Sequence, residues 1–149
     1  MATLLERPDK AVESARGRPR TLAGVRVLAV DDDADGLDMV AALLEEAGAE
    51  VRTAESAADA LAVLRAWWPA VIVSDIGMPG RNGYQLMSAI QALPGGDRMP
   101  AVALSGFSRR EDRERAFAAG FQAHIPKPAD ADELIAALVH LARAARSAR

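Results

Sequence analysis

Four short apolar runs constrain this chain most: VRVLAV (Val25–Val30), AVIVS (Ala70–Ser74), PAVAL (Pro100–Leu104) and FQAHI (Phe121–Ile125). They are strand-length and do not alternate cleanly between apolar and polar. Such runs belong to strands buried on both faces, as in a parallel sheet covered by helices. The intervening segments carry helical spacing. Ala34–Ala47 puts Leu37, Val40, Ala41 and Leu44 on one face and meets a stop at Gly48. A short strand, Glu50–Thr53, precedes a helix opened by Ser56, with Asp59 three residues on. Ala60, Leu61 and Leu64 face inward there, up to about Ala66. Gly77–Gly83 holds three glycines and a proline and reads as a shaped turn. A third helix runs through Leu86, Ile90 and Leu93 and stops before Pro94. Ser108 with Glu111 caps a fourth helix that ends at Gly120. Asp130 with Glu133 caps a fifth, which carries Leu134, Leu138 and Leu141. The expected fold class is α/β: a five-stranded parallel sheet with helices on both faces.

Residues 1 to about 22 break this rhythm. Glu6–Thr21 carries five basic and three acidic residues, two prolines and one glycine, with no strand period. It reads as a flexible N-terminal tail or linker, with residues 23–149 as the folded domain. A short helix over Leu4–Ala15 would be interrupted by Pro8. Cysteine is absent, which removes disulfides, thiolate metal sites and cysteine nucleophiles. The net charge of −3 gives no footprint for direct nucleic-acid binding. No apolar stretch approaches the roughly 18 residues a membrane span needs. The start, MATLLERPDK, lacks the order of a secretory signal, so a cytoplasmic location is expected.

In a parallel α/β sheet the functional site lies beyond the carboxyl ends of the strands. Asp31 and Asp32 follow the first run, Asp75 the third strand, Ser105 the fourth, and Lys127 with Pro128 the fifth. Taken singly, each has an ordinary explanation. Asp33 serves as a turn or helix cap, Ser105 as a turn residue and Lys127 as a surface lysine. Five such side chains at one sheet edge are hard to explain by packing. Three carboxylates held together repel one another unless a cation joins them. An all-oxygen set points to Mg²⁺, with Mn²⁺ as the alternative, rather than zinc. Aspartate can accept a phosphoryl group covalently, and a lysine and a hydroxyl can hold its other oxygens.

The segments VLAVDDDAD, VIVSDIGMPGRNGY, AVALSGF and AGFQAHIPKP together resemble the receiver domain of bacterial two-component response regulators, over about Gly24–Ala145. The wording of the later segments is most similar to receivers of hybrid sensor histidine kinases. The resemblance implies a CheY-like, flavodoxin-like sheet of order 2-1-3-4-5. It implies Asp31 and Asp32 as Mg²⁺ ligands, Asp75 as both ligand and phosphoacceptor, and the Gly77 carbonyl as a further ligand. Ser105 would be the switch hydroxyl, Lys127 the partner of Asp75 or its phosphoryl group, and Pro128 a cis-proline. The donor would be a phosphohistidine on a sensor histidine kinase or a histidine phosphotransfer domain. The receiver would phosphorylate and dephosphorylate itself rather than turn over as a conventional enzyme. It would signal through the face built from the fourth helix, fifth strand and fifth helix, which could also form a homodimer.

Two positions depart from the family pattern. His124 stands where a Tyr or Phe switch ring is usual; it would settle inward on phosphorylation, or it is simply a half-exposed strand residue. Gly77 leaves the acceptor less obstructed, and Phe107 could cover the site instead. The charges Arg109–Arg115 suit a partner, or form an ordinary solvated face. Only a few residues follow the fifth helix, so a stand-alone receiver and a fragment of a larger protein are both expected readings. Three rival readings use the same residues differently. A receiver-like scaffold would work without phosphorylation. A phosphohydrolase of the aspartyl-phosphate type could use Asp31 and Asp33, but Lys127-Pro128 fits it less well. A dinucleotide or flavin binder would not place three aspartates where phosphate must sit.

Overall fold

The computed structural model describes residues 19–78, 80–106 and 110–147. The N-terminal stretch 1–18, with the helix expected over Leu4–Ala15, lies outside them, as do Phe107, the Ser108 cap and Arg109. Five strands are present among the described residues: β1 (Arg26–Val30), β2 (Glu50–Ala54), β3 (Val71–Asp75), β4 (Ala101–Ser105) and β5 (Ala123–Pro126). They pair in parallel in the order β2-β1-β3-β4-β5. The helices of the described residues are α1 (Ala34–Glu46), α2 (Ala57–Ala66), α3 (Gly83–Gln91), α4 (Arg110–Ala119) and α5 (Ala131–Ser147), and a 3₁₀ turn covers Gly96–Arg98.

Position in the sheet accounts for the apolar runs. β3 and β4 are central and buried at every residue. β2 lies at an edge, and only Ala54 of it is buried. Side chains alternate between faces along each strand and so build two cores. Leu28, Ile72, Ala101 and Ala103 meet Leu61 and Leu64 of α2 and Leu86, Met87 and Ile90 of α3. Val27, Val71, Val73, Val102, Leu104 and Ile125 meet Leu44 of α1 and Leu134 and Leu138 of α5. Each fully buried Leu or Ile contributes about 1.5–3 kcal/mol. Leu22 belongs to the second core: it is fully buried and donates its N–H to the Ala47 carbonyl at 2.9 Å.

Short polar residues start the helices. Ser56 Oγ accepts the Asp59 N–H at 3.1 Å, and Asp130 Oδ2 accepts the Glu133 N–H at 2.9 Å. Asn82 and Gln85 form a reciprocal capping box at the start of α3. Gly48 ends the α1 connection at φ +101°, and a Cβ there would meet the Ala23 backbone nitrogen at 2.9 Å. The fifth strand starts two residues later than the apolar run suggests. Phe121 instead donates its N–H to the Ala116 carbonyl and is buried as it closes α4. Among the described residues no helix is long and apolar enough to cross a membrane.

Candidate functional site

A parallel sheet brings all its carboxyl ends to one edge. β1 and β3 are neighbours with Val30 opposite Ser74, so Asp31 and Asp75 leave adjacent strands side by side. Asp75 lies opposite Leu104, and Ser105 lies opposite Pro126, which puts Lys127 next in line. The Lys127 N–H donates to the Ser105 carbonyl at 2.8 Å, and the Lys127–Pro128 peptide bond is cis.

The side chains converge. One oxygen each from Asp31, Asp32 and Asp75 lies within 4.8 Å of the others. Lys127 Nζ reaches Asp31 Oδ2 at 2.9 Å and Asp75 Oδ1 at 3.2 Å. Asp31, Asp75 and Ser105 are buried, whereas Asp32 is exposed. Buried charges are costly without partners, and here two buried carboxylates share one ammonium. Burial, then the charge of Asp31, pushes the Asp75 carboxyl above its ordinary value; Lys127 and a hydrogen bond from the Gly77 backbone pull the other way. Burial also works against the Lys127 ammonium. The hydrogen bond to Asp31 and the charges of Asp75 and Asp31 outweigh it and raise Lys127 above its usual value.

Backbone contacts set the pose of Asp75. Ser74 Oγ donates to the Asp75 carbonyl at 2.9 Å. Gly83 opens α3 directly against the same group: a Cβ there would lie 2.6 Å from the Asp75 carbonyl oxygen and 2.9 Å from Ile76 Cα. Only glycine lets α3 start this close to the end of β3. The sequence marks Gly83 only as a turn residue, and the N-x-x-Q spacing of Asn82 and Gln85 is the one local signal of the capping box beside it. Gly77 is exposed, and the space beside its Cα is open. Asp33 occupies the N-cap position of α1 without a side-chain cap bond, and its N–H donates to Asp31 Oδ1 at 2.9 Å. Its backbone thus orients one of the clustered carboxylates.

His124 stands apart from this cluster. It pairs with Ala103, two residues before Ser105 on the neighbouring strand. The ring is buried. A half-exposed ring was the plain reading of an edge strand; α4, lying over this face of β5, covers it.

The family model for the response regulator receiver domain matches residues 27–139, which include every one of these side chains. The chain belongs to the response regulator receiver family. This receiver is 41% identical over 116 residues to an uncharacterised 14.6 kDa protein of Leptolyngbya boryana, covering 78% of this chain and 88% of that one. It is 36% identical over 118 residues to the transcriptional regulatory protein PrrA of Mycobacterium tuberculosis, covering 79% of this chain and 50% of PrrA. The receiver thus spans about half the length of that regulator. Among solved structures, the chemotaxis protein CheY4 of Vibrio cholerae superposes with a TM-score of 0.76 at 30% identity, covering 80% of this chain and 99% of that one. The fold is the flavodoxin-like CheY fold, with the strand order expected.

Proposed function

We propose that Asp75 accepts a phosphoryl group from a phosphohistidine donor, on a sensor histidine kinase or histidine phosphotransfer domain, in a Mg²⁺-dependent reaction. The observation that carries this reading is the convergence of Asp31, Asp32 and Asp75 within 4.8 Å, with Lys127 bridging the two buried members. The donor set is all oxygen and carries more negative charge than one lysine balances, which fits Mg²⁺ or Mn²⁺. Asp31, Asp32, Asp75 and the Gly77 carbonyl would hold the ion. When bound, it supplies charge neutralisation and a template for the phosphoryl oxygens.

The chain's own groups do the rest. A carboxylate oxygen of Asp75 attacks phosphorus. The P–N bond of the phosphohistidine breaks as the P–O bond of the acyl phosphate forms, and the leaving imidazole takes up a proton. Lys127 must release Asp75 Oδ1 as a nucleophile while staying close enough to hold a phosphoryl oxygen; its second anchor, Asp31, keeps it there. The Ser105 hydroxyl, on the neighbouring strand end, is the switch donor to the phosphoryl group. The open side at Gly77 leaves an approach for the water that later cleaves the acyl phosphate. The added charge biases a two-state equilibrium of the α4-β5-α5 face, through which the receiver signals or dimerises.

The test is the intact mass of the purified protein with Mg²⁺ and acetyl phosphate, beside Asp75→Asn. The expected result is a gain of one phosphoryl group that needs Mg²⁺ and disappears in the variant. A folded protein that binds no Mg²⁺ would overturn the site assignment. Mg²⁺ binding without any mass gain, from acetyl phosphate or from a phosphorylated phosphotransfer domain, would favour a scaffold that acts without phosphorylation.

A further inference from the structure

His124 has a feature that phosphoryl chemistry does not use. Its side chain is buried, and among the described residues neither ring nitrogen makes a hydrogen bond of ordinary geometry to another residue. A neutral imidazole carries one donor and one acceptor, and native interiors rarely leave both unpaired. The ring sits on the sheet face that holds Ala101, Ala103 and Ala116, all fully buried and none able to pair with it. β4, from Ala101 to Ser105, presents no titratable group to it. α5 packs with Ile125 on the opposite face. Among the described residues, the charged groups that act on the ring are on α4: Arg113, and more weakly Asp112.

We propose that a proton on His124 opens the α4–β5 face: the neutral ring stays beneath α4, and the imidazolium leaves this pocket and releases the helix. An imidazolium has two donors and a charge, and the pocket offers it apolar methyl groups and a nearby guanidinium. Burial first, then Arg113, hold the ring below its ordinary titration value, while Asp112 opposes them in part. α4 is the element able to give way, because Ala116 is the only buried side chain on it. The sign follows from linkage. An exposed ring titrates near 6.5 and the buried one lower, so the open form binds protons first. Acidification through about pH 6.5 therefore raises the open population, with a slope of at most about tenfold per pH unit, until the buried ring itself titrates. The device does not require a phosphoryl group on Asp75.

Amide hydrogen exchange at pH 7.5, 6.5 and 5.5, corrected for intrinsic rates, tests this in wild type, Asp75→Asn, His124→Phe, His124→Gln and His140→Gln. The chain has two histidines, so His140→Gln leaves the His124 ring as the sole imidazole signal for a parallel NMR titration. In wild type, Asp75→Asn and His140→Gln, protection over Arg110–Ala119 should change little from pH 7.5 to 6.5 and fall by up to about fivefold from 6.5 to 5.5, while α5 amides hold. Both His124 variants should stay flat, and His124→Gln serves if the larger Phe perturbs folding. Flat α4 protection in wild type, the same slope in both His124 variants, or a His124 midpoint at or above 6.5 would each overturn the proposal.

Discussion

Two helices flank β5, and they are held very differently. α5 runs for 17 residues and buries Leu134, Ile135, Leu138 and Ala142 against the sheet. α4 runs for 10 residues with one buried side chain, Ala116. Its sequence, REDRERAFAA, has no apolar stripe, and its surface contacts are an Arg110–Glu114 pair at 3.2 Å and Arg115 stacked 4.2 Å over the Tyr84 ring. Exposed pairs of this kind contribute little. The fold is therefore clamped on one side of β5 and only rested upon on the other. The loosely held side includes Ser105 at the end of β4 and His124 on β5. Elements that move are drawn from the low-stability end of a structure, and here the burial pattern identifies α4 as that end.

Cutting the α5 anchor should do the most damage. Leu138→Ala removes a fully buried side chain from the second core. It should cost about 2–5 kcal/mol of global stability, read as a lower urea midpoint with unchanged slope. A loss below about 1 kcal/mol would mean that α5 is not the clamp described.

Ala116→Gly probes the other side. It deletes the one buried methyl of α4 and weakens the helix backbone, together about 1–2 kcal/mol. The two variants should differ in kind as well as size. Leu138→Ala should lower protection throughout, whereas Ala116→Gly should lower amide protection in α4 well before the sheet. Uniform loss in both would mean that α4 unfolds only with the whole domain.

The acidic edge was legible from sequence because parallel topology forces strand ends together. Asp31, Asp32, Asp75, Ser105 and Lys127 each followed an apolar run, and pattern alone put them at one edge. Three features were not legible, each for a physical reason. Lys127 bridges Asp31 as closely as Asp75, which depends on side-chain reach across three strands. Gly83 is needed because α3 begins against the Asp75 carbonyl, a close approach that only coordinates reveal. The burial of His124 arises from α4 covering an edge strand, and α4 itself reads as a solvated helix. On the far side of the domain, Trp67 lies beneath Arg26 and Arg52 and donates its indole N–H to Glu50 at 3.3 Å. No local pattern pointed to that stack, since its members come from β1, β2 and the end of α2.

The smallest expected effect is the most discriminating about partners. Phe117 on α4 is 45% exposed, an unusual place for a large apolar ring on so polar a helix. In a monomer, Phe117→Ser loses only half-buried contacts and should change stability by less than about 0.5 kcal/mol. That value should be the same at low and high protein concentration. If the loss instead grows with concentration, the ring is covered in solution by a second copy, because only an association equilibrium makes stability depend on concentration. α4 would then be weakly held within one chain and anchored between two. A concentration-independent loss above about 1.5 kcal/mol would place Phe117 in the intramolecular core and contradict the exposure seen here.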